Sequence, residues 1–182
     1  MSRRPPIIVG SVHYDLGHLA PLVLPCPRPA SPPAVNEVPL RIEVAFSHHC
    51  YTVGTAEDPA AAETYHVAER GDVRLFNAAR WELSRAHLPG MVTALPAARV
   101  EHTWEMRNYR YALSTLLPDG LEYQMFFSLR RSGDPDSDLR LFVESAYPIS
   151  PASRPRGPGV IRFAVLAVKV LRGERIKHPP RR

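Results

Sequence analysis

Apolar and polar positions alternate most regularly in two stretches of this chain. Between Pro39 and Phe46, the residues Leu40, Ile42, Val44 and Phe46 alternate with Arg41, Glu43 and Ala45. That is the period-two signature of a strand with one wet face. From Leu121 to Pro148 the chain reads LEYQMFFSLRRSGDPDSDLRLFVESAYP, two further strands around a polar turn. Period two puts Tyr123, Met125, Phe127 and Leu129 on one face of the first. It puts Leu139, Leu141, Val143, Ser145 and Tyr147 on one face of the second, so an aliphatic row is expected to end in two hydroxyl side chains. Because their apolar faces are the strongest in the chain, the strands at 39–46 and 139–147 are expected to be neighbours or near-neighbours in one sheet.

The remaining patterns fill in an α+β domain. Val73–Phe76 is a short apolar piece, and Asn77 after it is a plausible N-cap for a helix to about His87. Pro89 then suits the first turn of a second helical piece toward Leu95, with Trp81, Leu88, Met91, Val92 and Leu95 on the buried side. Val100, His102, Trp104 and Met106 alternate, Arg107-Asn108 turns the chain, and Tyr109–Leu117 returns. Pro118-Asp119-Gly120 marks the next turn. Val160–Leu171 is rich in β-branched residues, which favours a strand, although its length would also allow a buried helix. The expected architecture is a single α+β domain: one antiparallel sheet of five or six strands with a helical segment near residues 77–95 packed on it.

Proline changes the picture at the ends. The 20 prolines among 182 residues are about twice the usual share and concentrate in Pro5–Pro39 and Pro148–Pro158. Proline fixes φ and removes an amide donor, so residues 1–38 are expected as a proline-rich extended arm. Residues 39–172 form the body and 173–182 a basic flexible tail. Charge is segregated as well: residues 154–182 hold nine Arg or Lys against the single Glu174, a balance of +8, while the rest carries 14 basic and 17 acidic groups, a balance of −3. A basic segment of this kind attracts polyanions, RNA or DNA first among them. Two cysteines, Cys26 and Cys50, are too few for a disulfide framework. No secretory signal and no run of ~20 apolar residues is visible, so a cytoplasmic protein with free thiols and no membrane span is expected.

Candidate chemistry gathers at two strand ends. Phe46 runs into Ser47-His48-His49-Cys50-Tyr51-Thr52. Read as a strand continuation, His48 and Cys50 would share a face and His49 would oppose them. A zinc site would need two more ligands, and His13, His18 and Cys26 stand at spacings that match no zinc motif. The second end is Ser145 with Tyr147. Phosphodiester cleavage without a metal needs a base, an acid and cations on the phosphate. Histidine suits the first two roles and arginine the third. Arg80, Arg110 and Arg162 are the arginines expected nearest the sheet. Trp81, Trp104, Tyr109, Tyr111 and Tyr123 interleave with arginines, a combination that serves base stacking as readily as core packing.

The strand end Ser145-Ala146-Tyr147-Pro148 resembles the barnase/RelE-like superfamily of bacterial endoribonuclease toxins. That resemblance implies an active site lined by the strand-end hydroxyl and aromatic, RNA as substrate, and an antitoxin-type protein partner. Candidate site residues are therefore His48, His49, Ser145, Tyr147, Arg110 and Arg162, with no cofactor and no metal. The alternatives are a non-catalytic binding module that engages nucleic acid or protein through its basic tail, and a zinc-stabilised structural domain.

Overall fold

Period-two alternation translates into the long strands of a central sheet in the computed structural model, which describes residues 4–29, 38–55, 66–69, 72–105, 108–153 and 159–176. In chain order the elements are β1 (Ile7–Val9), β2 (Val12–Tyr14), β3 (Leu22–Cys26), β4 (Leu40–Phe46), β5 (Thr52–Gly54), β6 (His66–Glu69), β7 (Asp72–Phe76), α1 (Ala78–Ala94), β8 (Arg99–Glu105), β9 (Asn108–Leu116), β10 (Glu122–Arg131), β11 (Leu139–Ile149), β12 (Val160–Arg162) and α2 (Phe163–Arg172). Seven of these strands form the main sheet in the order β12-β8-β9-β10-β11-β4-β3. The body is α+β, as its patterning predicts, but the sheet is larger than five or six strands and it is mixed. β4 and β11 are indeed neighbours, and they run parallel, with Ile42 opposite Leu139 and Phe46 opposite Val143. Every other pairing in the sheet is antiparallel. A parallel pair needs a long crossover, and here the chain between β4 and β11 supplies α1 and the β8–β10 meander.

Both helices lie on the face that carries Tyr123 and Phe127. His87 of α1 packs against Tyr123 at 5.4 Å between ring centroids, and Phe163 of α2 against Phe127 at 6.0 Å. Leu139, Leu141, Val143, Met125 and Phe127 are fully buried between these layers. Truncating any one of them to Ala would cost about 2–5 kcal/mol. α1 starts at the expected N-cap, where the Asn77 side chain accepts from the Arg80 amide at 2.8 Å. It does not break at Pro89 as the sequence suggests. The helix runs on to Ala94 because Leu88, Met91 and Val92 are buried.

The stretch Val160–Leu171 departs from the strand expectation. Only Val160–Arg162 pairs, against β8, and Phe163 then opens a second helix. Phe163, Leu166 and Ala167 at i, i+3 and i+4 are all buried, so burial of one helical face overrides the β-branched propensity. Gly173 closes α2 in the left-handed region at φ 70°, where its amide reaches Val170 and the Glu174 amide reaches Lys169. The proline-rich N-terminal segment also enters the fold. β3 pairs with β4 at the sheet edge despite Pro25, and Leu19, Leu24 and Cys26 join the core. A second sheet, β5-β7-β6, stands beside the start of α1. No helix of the described residues is long and apolar enough to cross a membrane.

Candidate functional site

The residues after Phe46 do not continue as a strand. Ser47 caps a single 3-10 turn, His48–Cys50, by accepting from the His49 amide at 3.2 Å. The expected alternation of faces is thereby lost: His48 and Cys50 are buried and His49 is half-buried. The two imidazoles meet edge-to-face at 4.5 Å. The Ser47 amide donates to the Val143 carbonyl at 2.8 Å, which lays this turn against β11 just where β4 ends.

β11 carries the second correction. The register with β10 runs Phe127–Val143 and then Phe126–Ser145, so Glu144 is an extra residue, a β-bulge. The bulge reverses the alternation. Val143 and Ala146 keep the core face, while Ser145 and Tyr147 stand opposite Phe126 and Gln124 on the other face. The aliphatic row therefore does not end in two hydroxyls. Tyr147 stacks on Phe126 at 5.3 Å, and the Arg80 guanidinium lies 5.2 Å from the centre of its ring.

Arg80 ties the two strand ends together. Besides facing Tyr147 it donates to the Thr52 carbonyl at 2.9 Å. Thr52 is fully buried, and its hydroxyl donates to the His48 carbonyl at 3.0 Å while accepting from Arg74 Nε at 2.9 Å. Arg4 donates to the Phe46 carbonyl. Three guanidinium groups thus surround the His48–Cys50 turn. Arg80 lies in the first turn of α1, which contains no acidic residue. A cation in that position opposes the helix dipole, and the combined field favours an anion.

The thiol in the cluster is not a nucleophile. Burial pushes Cys50 up to about 12, against smaller opposing effects from Arg4, Arg80 and a hydrogen bond at Ser47, so it stays protonated. Cys26, raised by burial to about 11, behaves alike, and both cysteines are free. Among the described residues no group of three or more His, Cys, Asp or Glu side chains is placed to hold a metal ion. His13 is exposed, and His18 hydrogen-bonds Ser84 at 2.8 Å.

Of the six residues singled out in the sequence, His48 and His49 lie in the turn set against β11, the strand that carries Ser145 and Tyr147. Arg162 sits exposed on β12, opposite Arg99 at the far edge of the sheet. Four strand spacings, about 19 Å, separate β12 from β11. Arg110, on β9, pairs with Thr103 of β8, and its side chain lies outside the described residues. Arg80 takes the cationic place instead, with Arg74 and Thr52 behind it. The N-cap at Asn77 was the local signal that could have placed Arg80, three residues on. Nothing local points to Thr52, whose role arises from the pairing of β5 with β7.

Comparison with known proteins adds a family to this geometry. The model described as the YjaZ family matches residues 6–171. The chain is also similar to Protein YjaZ of Escherichia coli (strain K12), with 29% identity over 143 residues that cover 76% of this chain and 75% of the relative. No solved structure gives a significant match.

Proposed function

The chain belongs to the YjaZ family, a name that carries no chemistry, and we propose from the site itself that it is an RNA-directed protein able to cleave phosphodiesters without a metal. The observation that carries this reading is the meeting of the His48–His49 turn with the Ser145/Tyr147 strand end under Arg80. His49, half-buried where His48 is only 8% exposed, is the imidazole able to exchange a proton with a ligand. In the proposed step the base takes the 2′-hydroxyl proton as that oxygen attacks phosphorus. An acid, Tyr147 or the second imidazole, protonates the departing 5′-oxygen. The products are a 2′,3′-cyclic phosphate and a 5′-hydroxyl end. Arg80, beside the α1 N-terminus, favours the charge that builds on the phosphate. The resemblance of Ser145-Ala146-Tyr147-Pro148 to barnase/RelE-like toxins points the same way.

Incubation of the purified chain with a mixed RNA pool in EDTA tests the proposal. Wild type is expected to generate cyclic-phosphate ends, and His49→Ala and Arg80→Ala to lose at least about 100-fold in rate, the low end for a proton-transfer group. Wild type that cleaves no RNA, or a His49→Ala variant that cleaves equally well, removes the catalytic reading. One observation favours a second reading, RNA binding without cleavage. Arg80 is already engaged by Thr52 and Tyr147, and Tyr147 is stacked on Phe126, so the site is well packed. Salt-dependent RNA binding with intact RNA would select it.

A further inference from the structure

The hairpin end of β10 and β11 places two arginines directly opposite each other. Arg130 pairs with Arg140 in the antiparallel register. Like charges in that position repel, and sheets ordinarily avoid them. The neighbouring strand offers one carboxylate: Glu43 faces Arg140, with Oε2 3.8 Å from Nε, the Arg140 side chain 41% and the Glu43 side chain 27% exposed. At that distance there is no hydrogen bond, and a long, half-exposed ion pair of this kind contributes little. The other carboxylate in the groove, Asp134, accepts from the Asp136 amide at 2.9 Å and is committed to its own turn. Arg131 is turned away to the α2 C-terminus, where it donates to the Leu171 carbonyl at 2.8 Å. Arg130 is exposed and makes no ion pair among the described residues.

Register fixes where this groove stands relative to the candidate site. Arg130 is four residues from Phe126 along β10, an even number, so both project from one face. Ser145 stands opposite Phe126 on that face, and Arg140 opposite Arg130. Without the Glu144 bulge, Ser145 and Tyr147 would project from the other face. The separation along the strand is about 14 Å, the length of about four stacked nucleotides. We infer that Arg130 and Arg140 form a phosphate-contact subsite for a single-stranded RNA that runs along β10 and β11 from the strand end at Ser145 and Tyr147. The inference rests on the RNA reading above and adds the path of the strand.

The test uses the full chain and 2′-O-methyl oligonucleotides, which cannot be cleaved, of about 2 and about 12 nucleotides, on either side of the proposed span of about four. Affinity is measured by fluorescence anisotropy over a salt series. The Arg130→Gln/Arg140→Gln variant is expected to lose about tenfold on the long oligonucleotide and nothing on the short one. The slope of log K against log salt should shrink by about 1.4 for two lost phosphate contacts. Wild-type affinity and slope in this variant would overturn the subsite and leave the RNA reading intact. Failure of wild type to bind either oligonucleotide would remove both. Arg130→Gln alone relieves the opposed charges, so its melting temperature should not fall; a clear drop would make Arg130 a structural residue and overturn the assignment.

Discussion

Tyr123 shows most sharply what packing does to one side chain. Its ring is fully buried, and its hydroxyl finds no hydrogen-bond partner among the described residues. Burial pushes the phenol far up, nearby Cys50 adds to this, and Arg80 opposes it. A buried hydroxyl without a partner carries its desolvation cost for no return. Tyr123→Phe is therefore expected to stabilise the protein by about 1 kcal/mol, a rise of about 2–4 °C in melting temperature. A thermal melt checks this, and a fall would mean that the hydroxyl is satisfied in solution. Cys50, next to it, is a structural thiol for the same reason: with its pKa pushed up to about 12 it remains neutral and apolar at physiological pH.

Among the elements, α2 is the one whose type depended on a single packing decision. VIRFAVLAVKVLR alternates β-branched residues in a way that suits a strand, yet Phe163, Leu166 and Ala167 are buried on one helical face. Gly173 ends the helix at φ 70°, a region in which a side chain is strained. A Cβ added there would also come within 3.1 Å of an Arg131 guanidinium nitrogen. Gly173→Ala is expected to cost about 1 kcal/mol, read from urea unfolding, with unchanged secondary structure. Equal stability would show that Arg131 yields and that the helix end relaxes. The Glu144 bulge belongs to the same scale. One extra residue moves Ser145 and Tyr147 off the aliphatic face, a change no alternation count on β11 alone could detect.

Across the whole molecule, charge and packing divide at the C-terminus. Ile176 packs on the core, Glu174 bonds Lys169 at 3.0 Å, and Gly173 caps α2, so the body extends past Arg172. Removing residues 177–182 deletes Lys177, Arg181 and Arg182 with no apolar residue. Melting temperature is expected to stay the same while the salt slope of RNA binding shrinks by up to about 2, the limit set by three phosphate contacts. A lower melting temperature would mean that these residues dock on the body. A constant slope would locate the RNA contact elsewhere, on the sheet.

By itself the sequence determined the α+β class, the five longest strands, the start of α1 and the adjacency of β4 and β11. Each of these is written in local periodicity or a cap, and local chemistry is enough to specify them. Only tertiary structure decided that β4 and β11 run parallel, that Phe163–Arg172 winds as a helix, and that Arg80 rather than Arg162 reaches Tyr147. The reason is common to all three. Strand direction, the burial of one helical face and the convergence of side chains more than 60 residues apart depend on which surfaces meet in the folded chain, and no window of neighbouring residues contains that information.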